Sequence, residues 1–187
     1  MQDTAHRNLP NNSPGHDDVS TEENLSGAAA AQKIADMVKG GNSCFFCTLG
    51  MGSQLHARPM TVIEVEEGTG QLWFFTEIDS LKNVELDRDP RVTLFFKEGD
   101  NGGHLKLDGS ATQVTDKQTI HRLWTPKLRA WFTEGENDPR ICLLRVDPVS
   151  GEYWDNRHGA AIAGIKMLFG ALTAQRVDEG VHGKLKL

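Results

Sequence analysis

The sequence predicts a mainly β domain in which short helices interrupt an antiparallel sheet that closes, or half closes, into a barrel. Three observations carry this. At least six runs rich in Val, Ile, Leu, Phe and Thr succeed one another between Gly-, Asp- and Pro-rich turns. Strands and helices do not alternate in the rhythm of a parallel sheet. The 187 residues, 25% charged and 38% hydrophobic, have the size and mix of one domain with a proper core.

Residues 1–19 are rich in Asn, Pro, Asp and Gly and lack the charged-then-apolar layout of a signal peptide, so a disordered lead-in and a cytoplasmic protein are expected. The domain is expected over 20–175 and a polar tail over 176–187. Ser20-x-x-Glu23 reads as a capping box opening a helix through AAAAQKIADMV, stopped by Gly40-Gly41. Strands are expected at Cys44–Leu49, Leu55–Glu66 and Gln71–Thr76, joined by two short turns into a meander. Asp79 or Ser80 is placed to cap a short helix ending before Pro90. Arg91–Lys97 is a strongly β-type run, and His104–Thr115 is a longer strand in which Gly109 marks a bend. A helical region with Trp124, Pro126 and Trp131 precedes two last strands, Arg140–Asp147 and Gly151–Asn156. An apolar helix, Ala160–Ala174, then closes the pattern.

Composition narrows function. A net charge of −6 offers no basic stripe for a nucleic acid. Ala160–Ala174 is shorter than the roughly 20 residues of a membrane span and carries Lys166, so it reads as a packed helix. Three cysteines, Cys44, Cys47 and Cys142, suit a reducing compartment better than a disulfide framework. Cys44-x-x-Cys47 lies in a β-type run, where positions three apart point to opposite faces. No second Cys pair or paired His spacing is present to complete a zinc site. The cysteines are therefore expected as buried small apolar residues. The dinucleotide Gly-x-Gly-x-x-Gly, the Walker loop and Gly-x-Ser-x-Gly are all absent.

Polar groups do gather at the ends of neighbouring elements. Arg58 lies in the second strand of the meander, Thr76 ends the third, and Ser80 and Lys82 start the next helix. If the hairpin joins those strands, the four converge near a helix N-terminus, where backbone N–H groups, a forked guanidinium and a point charge favour a phosphate. The alternative is that both cations are solvated and Ser80 merely caps the helix.

The order ARPM, WFFT, DSLKNVELDRDPRV running into RVTLFFK, LKLDGSATQVTD and GEYWD resembles the pyridoxamine-phosphate-oxidase-like flavin-binding split barrels, and within them the general stress protein 26 subfamily. The resemblance spans about Ile34 to Arg157. It implies a six-stranded antiparallel split barrel that forms a homodimer, with FMN between the subunits and FAD as an alternative flavin. By the family pattern Arg58 and Lys82 grip the phosphate, with Thr76 and Ser80 as hydroxyl donors. The strand Pro59, Met60, Thr61 and Val62 lies along the isoalloxazine, and Phe75 flanks it. Trp154 matches a tryptophan that meets the flavin ring from the partner subunit; the alternative is a core tryptophan in the last strand. The oxidases follow that tryptophan with a basic segment, whereas here Asp155, Asn156, Arg157 and His158 follow, which argues against pyridoxamine phosphate oxidation. Trp124, Trp131 and Phe132 resemble a helical insertion of the subfamily; two places are open to them, bordering the flavin or filling the dimer interface, and the interface is expected.

No residue stands out as an acid–base catalyst. In flavin enzymes the cofactor carries the redox chemistry, so two functions stay open: a flavin-dependent oxidoreductase, or a non-catalytic protein that stores or senses flavin. A split barrel binding another cofactor, such as haem or a deazaflavin, is the third.

Overall fold

The computed structural model describes residues 21–97, 102–155 and 181–187. The expected lead-in over 1–19 and apolar helix Ala160–Ala174 lie outside them. In chain order the elements are β1 (Thr21–Glu22), β2 (Leu25–Ser26), α1 (Gly27–Gly40), β3 (Ser43–Leu49), β4 (Leu55–Thr61), β5 (Glu64–Val65), β6 (Leu72–Glu77), α2 (Leu81–Arg88), β7 (Arg91–Lys97), β8 (His104–Val114), α3 (Lys117–Leu123), β9 (Ile141–Asp155) and β10 (Val181–Lys186). Short 3-10 turns at Pro126–Ala130 and Gly135–Asn137 link α3 to β9.

The antiparallel ladders run β4–β3–β7–β8–β9, and β9 also pairs with β6 and β10. One stretch of chain completes the circuit. Leu55–Thr61 pairs with β3, the chain turns at Val62 and Ile63, and Glu64–Val65 pairs with β6. The Val62 N–H donates to Asn42 O, whereas the next N–H, from Ile63, donates to Trp73 O, so the strand changes partner within one residue. The barrel of six strands is thus split at this turn and not closed by a continuous ladder. The expected simple meander is corrected accordingly, because β6 pairs with β9 and only with the two-residue β5 on its other side.

Three further expectations change. The capping box does not open the first helix, which starts after Ser26, because Thr21–Glu22 and Leu25–Ser26 are drawn into parallel pairing with β10 and the Glu23 N–H donates to His182 O. The last two strands are one, Ile141–Asp155. Proline lacks a ladder donor and ordinarily interrupts a strand. A bulge at Asp108/Gly109 opposite Pro148 absorbs that irregularity, and a Cβ on Gly109 would stand 2.5 Å from Asp147 O. Finally, Val181–Lys186, expected within a polar tail, pairs along β9 and buries Leu185 while its charged residues point outward.

The barrel interior is filled by alternate residues of these strands, as the period of two requires. Phe46, Phe74, Leu94, Leu105, Leu144 and Tyr153 meet Ile34 and Met37 of α1 there. Phe46 and Phe74 pack edge to face, with centroids 5.3 Å apart. A smaller apolar cluster forms outside the barrel where Ile120, Leu123, Leu128 and Phe132 cover Trp73, Ile141 and Leu143. This second cluster anchors the segment between α3 and β9 beside the ends of β4 and β6.

Candidate functional site

A cleft of about 400 Å3 lies between that segment and the barrel. Its walls come from three places: Pro59, Met60 and Thr61 of β4; Phe75, Thr76 and Glu77 of β6; and Leu128, Trp131 and Phe132 of the insertion, with Ser80 and Lys82 at the start of α2. The volume and the apolar walls with a few convergent polar groups are those of a small-molecule site.

The polar end is built by helix geometry. Ser80 occupies the N-cap position of α2, yet its side chain makes no capping hydrogen bond. Instead its Oγ accepts a hydrogen bond from Lys82 Nζ at 2.9 Å and lies 3.4 Å from Thr76 Oγ1. Ser80 thus takes the expected N-cap position, but the alternative that its hydroxyl merely caps the helix is not met; the hydroxyl faces Lys82 and Thr76. Burial lowers the Lys82 pKa, and the charge of nearby Arg58 lowers it further. Glu77 and Glu85 offset part of this, and a further anion beside the two cations would favour their charged forms.

Arg58 does not line the cleft directly. Its Nη2 donates to Glu85 Oε2 at 2.9 Å, while its Nη1 is buried with no hydrogen-bond partner among the described residues. Glu85, only 4% exposed on α2, also accepts from Thr48 Oγ1 at 2.6 Å and lies 2.5 Å from His56 Nδ1. Burial alone would raise the Glu85 pKa. The hydrogen bonds from Thr48, His56 and Arg58 outweigh it and hold the carboxyl at about 2. The carboxylate thereby fixes one edge of the guanidinium and leaves the other edge unused.

The remaining candidates divide. Pro59, Met60, Thr61, Phe75, Thr76, Ser80 and Lys82 come together in the cleft. Val62 does not: its side chain is buried in the barrel core, and its N–H and C=O are engaged by Asn42. The strand turns inward there, so the cleft wall skips Val62 and resumes at Ile63. Trp154, 43% exposed, stands outside the cleft of its own chain, with His104 and His182 as its cross-strand neighbours. Phe132 is buried within the chain, Trp124 packs on Phe75 with centroids 6.0 Å apart, and Trp131 lines the cleft. Within one chain, then, Phe132 fills the outer apolar cluster while Trp131 keeps an exposed face.

Cys44 packs in the barrel core, while Cys47 lies along a separate hollow with Thr48, Leu55 and Thr93. Both are free thiols. Burial pushes the Cys44 pKa up to about 12 and raises that of Cys47 as well, which keeps both protonated and poorly nucleophilic. Among the described residues no group of three or more His, Cys, Asp or Glu side chains is placed to hold a metal, and no helix is long and apolar enough to cross a membrane.

Sequence reasoning missed the acidic partner of Arg58 and, in the apolar wall, Leu128. His56 carried a usable signal, since it sits two residues from Arg58 on a strand and so shares its face. Nothing in the spacing of VELDR separates buried Glu85 from solvated carboxylates nearby.

The same stretch of chain is recognised by comparison. A sequence model of the family described as pyridoxamine 5'-phosphate oxidase like matches residues 29–178, which include every wall of the cleft. The chain belongs to that family. The general stress FMN/FAD binding protein of Xanthomonas citri is 29% identical, covering 68% of this chain and 89% of its own, with a TM-score of 0.59. A general stress protein 26 candidate from Jannaschia sp. CCS1 shares the fold with a TM-score of 0.69 at 23% identity, covering 83% of this chain and 97% of its own. Protein bli-3 of Neurospora crassa is 30% identical over 107 residues, which are 53% of this chain and 51% of that protein. The chain thus spans about half the length of that curated relative.

Proposed function

We propose that the protein binds FMN in this cleft, with the phosphate at the Lys82, Ser80 and Thr76 end and the isoalloxazine along Pro59, Met60 and Thr61, and that it is a flavin-dependent oxidoreductase. One observation carries the reading. Arg58 presents a buried, unpartnered Nη1 close enough to Lys82 that its charge lowers the lysine pKa, beside two hydroxyls that are not used for capping. A buried donor without an acceptor costs about 1–3 kcal/mol, and a phosphate oxygen removes that cost.

Each residue then has a task. Lys82 and Arg58 neutralise the phosphate, Ser80 and Thr76 donate hydroxyl hydrogen bonds, and Glu85 fixes the guanidinium plane without entering the cleft. Phe75 and the insertion exclude water from the ring end. A bound flavin supplies hydride or single-electron transfer, which the side chains need only position and shield. FMN is favoured over FAD because the polar end is built for one terminal phosphate, although the Xanthomonas citri protein is described as binding either flavin.

The partner is proposed to be a second copy of this chain. The outer face of β4, β3 and β7 is apolar: Phe45, 58% exposed, stands opposite both Phe95 and Pro59, with exposed Leu55 alongside. Pro59 also lines the cleft, so this face is continuous with the site. Free cysteines in the interior fit a reducing, cytoplasmic setting.

A second reading, flavin storage or sensing without turnover, is favoured by one detail. The carboxylate among the lining residues, Glu77, is engaged by Arg140 Nη1 at 3.1 Å and so is turned to the guanidinium and not left free for a substrate. An absorbance titration of ligand-stripped protein with FMN, then anaerobic NADH or NADPH, separates the two. Bleaching of the visible band well above the rate of free flavin supports the oxidoreductase. Binding without bleaching supports storage, and failure to bind removes both.

A further inference from the structure

We propose that Trp131 is the side chain that stacks on the ring system of the ligand, and that it does so from the same subunit that supplies Lys82 and Ser80; the inference rests on the flavin reading above. Trp131 is 67% exposed, although Leu128, three residues before it, and Phe132, directly after it, are buried in the outer apolar cluster. A large flat apolar side chain left exposed on the wall of a cleft, in a segment anchored by buried residues, has its contact area available to a ligand.

Its backbone is also held. The Trp131 N–H donates to Leu128 O at 3.0 Å, and its carbonyl accepts from Arg140 Nη2 at 3.4 Å. Arg140 in turn reaches Glu77 on the β6 wall at 3.1 Å and buried Asp138 at 2.8 Å. The guanidinium thus clasps the insertion to the opposite wall, leaving only two side-chain torsions of Trp131 to be ordered on binding. A ligand whose phosphate sits among Thr76, Ser80 and Lys82 lies with its ring in the remainder of the cleft, where Leu128, Trp131 and Phe132 form a wall.

Trp154 is the competing tryptophan, and it lies toward the opposite end of β9 from Cys142, the residue paired with Thr76. The two are separable by flavin emission. An indole in contact with the isoalloxazine quenches it by passing an electron to the excited ring, the electron returning within the same pair, whereas the phenyl rings of Phe75 and Phe132 are too hard to oxidise to do so.

The test uses full-length protein stripped of ligand and reloaded with FMN, as wild type, Trp131→Leu and Trp154→Phe. Because Trp131 is exposed, its replacement leaves the core intact. Bound FMN is expected to be dim in the wild type and in Trp154→Phe and several-fold brighter in Trp131→Leu. FMN and riboflavin affinities should fall together in Trp131→Leu by up to about tenfold, as loss of one aromatic contact requires. If Trp154→Phe restores emission and Trp131→Leu does not, the inference is overturned while the flavin reading stands. If the wild type fails to bind FMN, the flavin reading itself is lost.

Discussion

Glu85 shows how one buried residue can serve both stability and a site. Its folded pKa of about 2 lies below its ordinary value of 4.5, so its contribution to stability is fully present above about pH 4.5 and is lost as pH falls toward 2. Glu85→Gln should remove that part of the acid sensitivity. Thermal melts of both proteins across that window should show a smaller loss for the variant, together with a stability cost of about 1–3 kcal/mol at neutral pH from the weakened hydrogen bonds. Parallel acid profiles for the two proteins would contradict the role given to the carboxylate. At the same scale, Cys44→Ser with Cys47→Ser should lower stability and leave flavin affinity nearly unchanged, since Cys44 is buried in the core and neither thiol lines the cleft. The sequence made Arg58, Ser80 and Lys82 legible as candidates because charge and hydroxyl types recur at element ends. It gave no sign of Glu85, because a carboxylate that is buried and one that is solvated look alike until the fold sets their surroundings.

At the scale of elements, runs of Val, Leu and Phe between turn residues located β3, β7 and β8 to within a residue or two. What could not be read was partnership. The stretch Leu55–Glu66 is continuous in pattern but changes neighbour at Val62–Ile63, a choice made by long-range pairing and not by local preference. Pro148 is the converse case: a local breaker was overruled because Gly109 lets the opposing strand bulge. Gly109→Ala should therefore cost about 1–3 kcal/mol, from forced displacement of the Asp147 carbonyl, in a denaturant titration. An unchanged midpoint would mean that the bulge is loosely packed.

For the whole molecule, the apolar face across β4, β3 and β7 and the cleft that opens beside it are proposed as parts of one dimeric assembly. Phe45→Asp with Phe95→Asp places charge at the centre of that face, and sedimentation should show a dimer in the wild type and a monomer in the variant, with FMN affinity reduced. A variant that stays dimeric would move the interface elsewhere. The central claim, that the cleft is built around a phosphate, is tested most directly by titrating the wild type and Arg58→Ala with Lys82→Ala against both FMN and riboflavin. Loss of charge-assisted hydrogen bonds, each worth about 1.5–3 kcal/mol, should weaken FMN by more than about tenfold and leave riboflavin, which has no phosphate, close to its wild-type affinity. Equal losses for the two ligands would contradict the account.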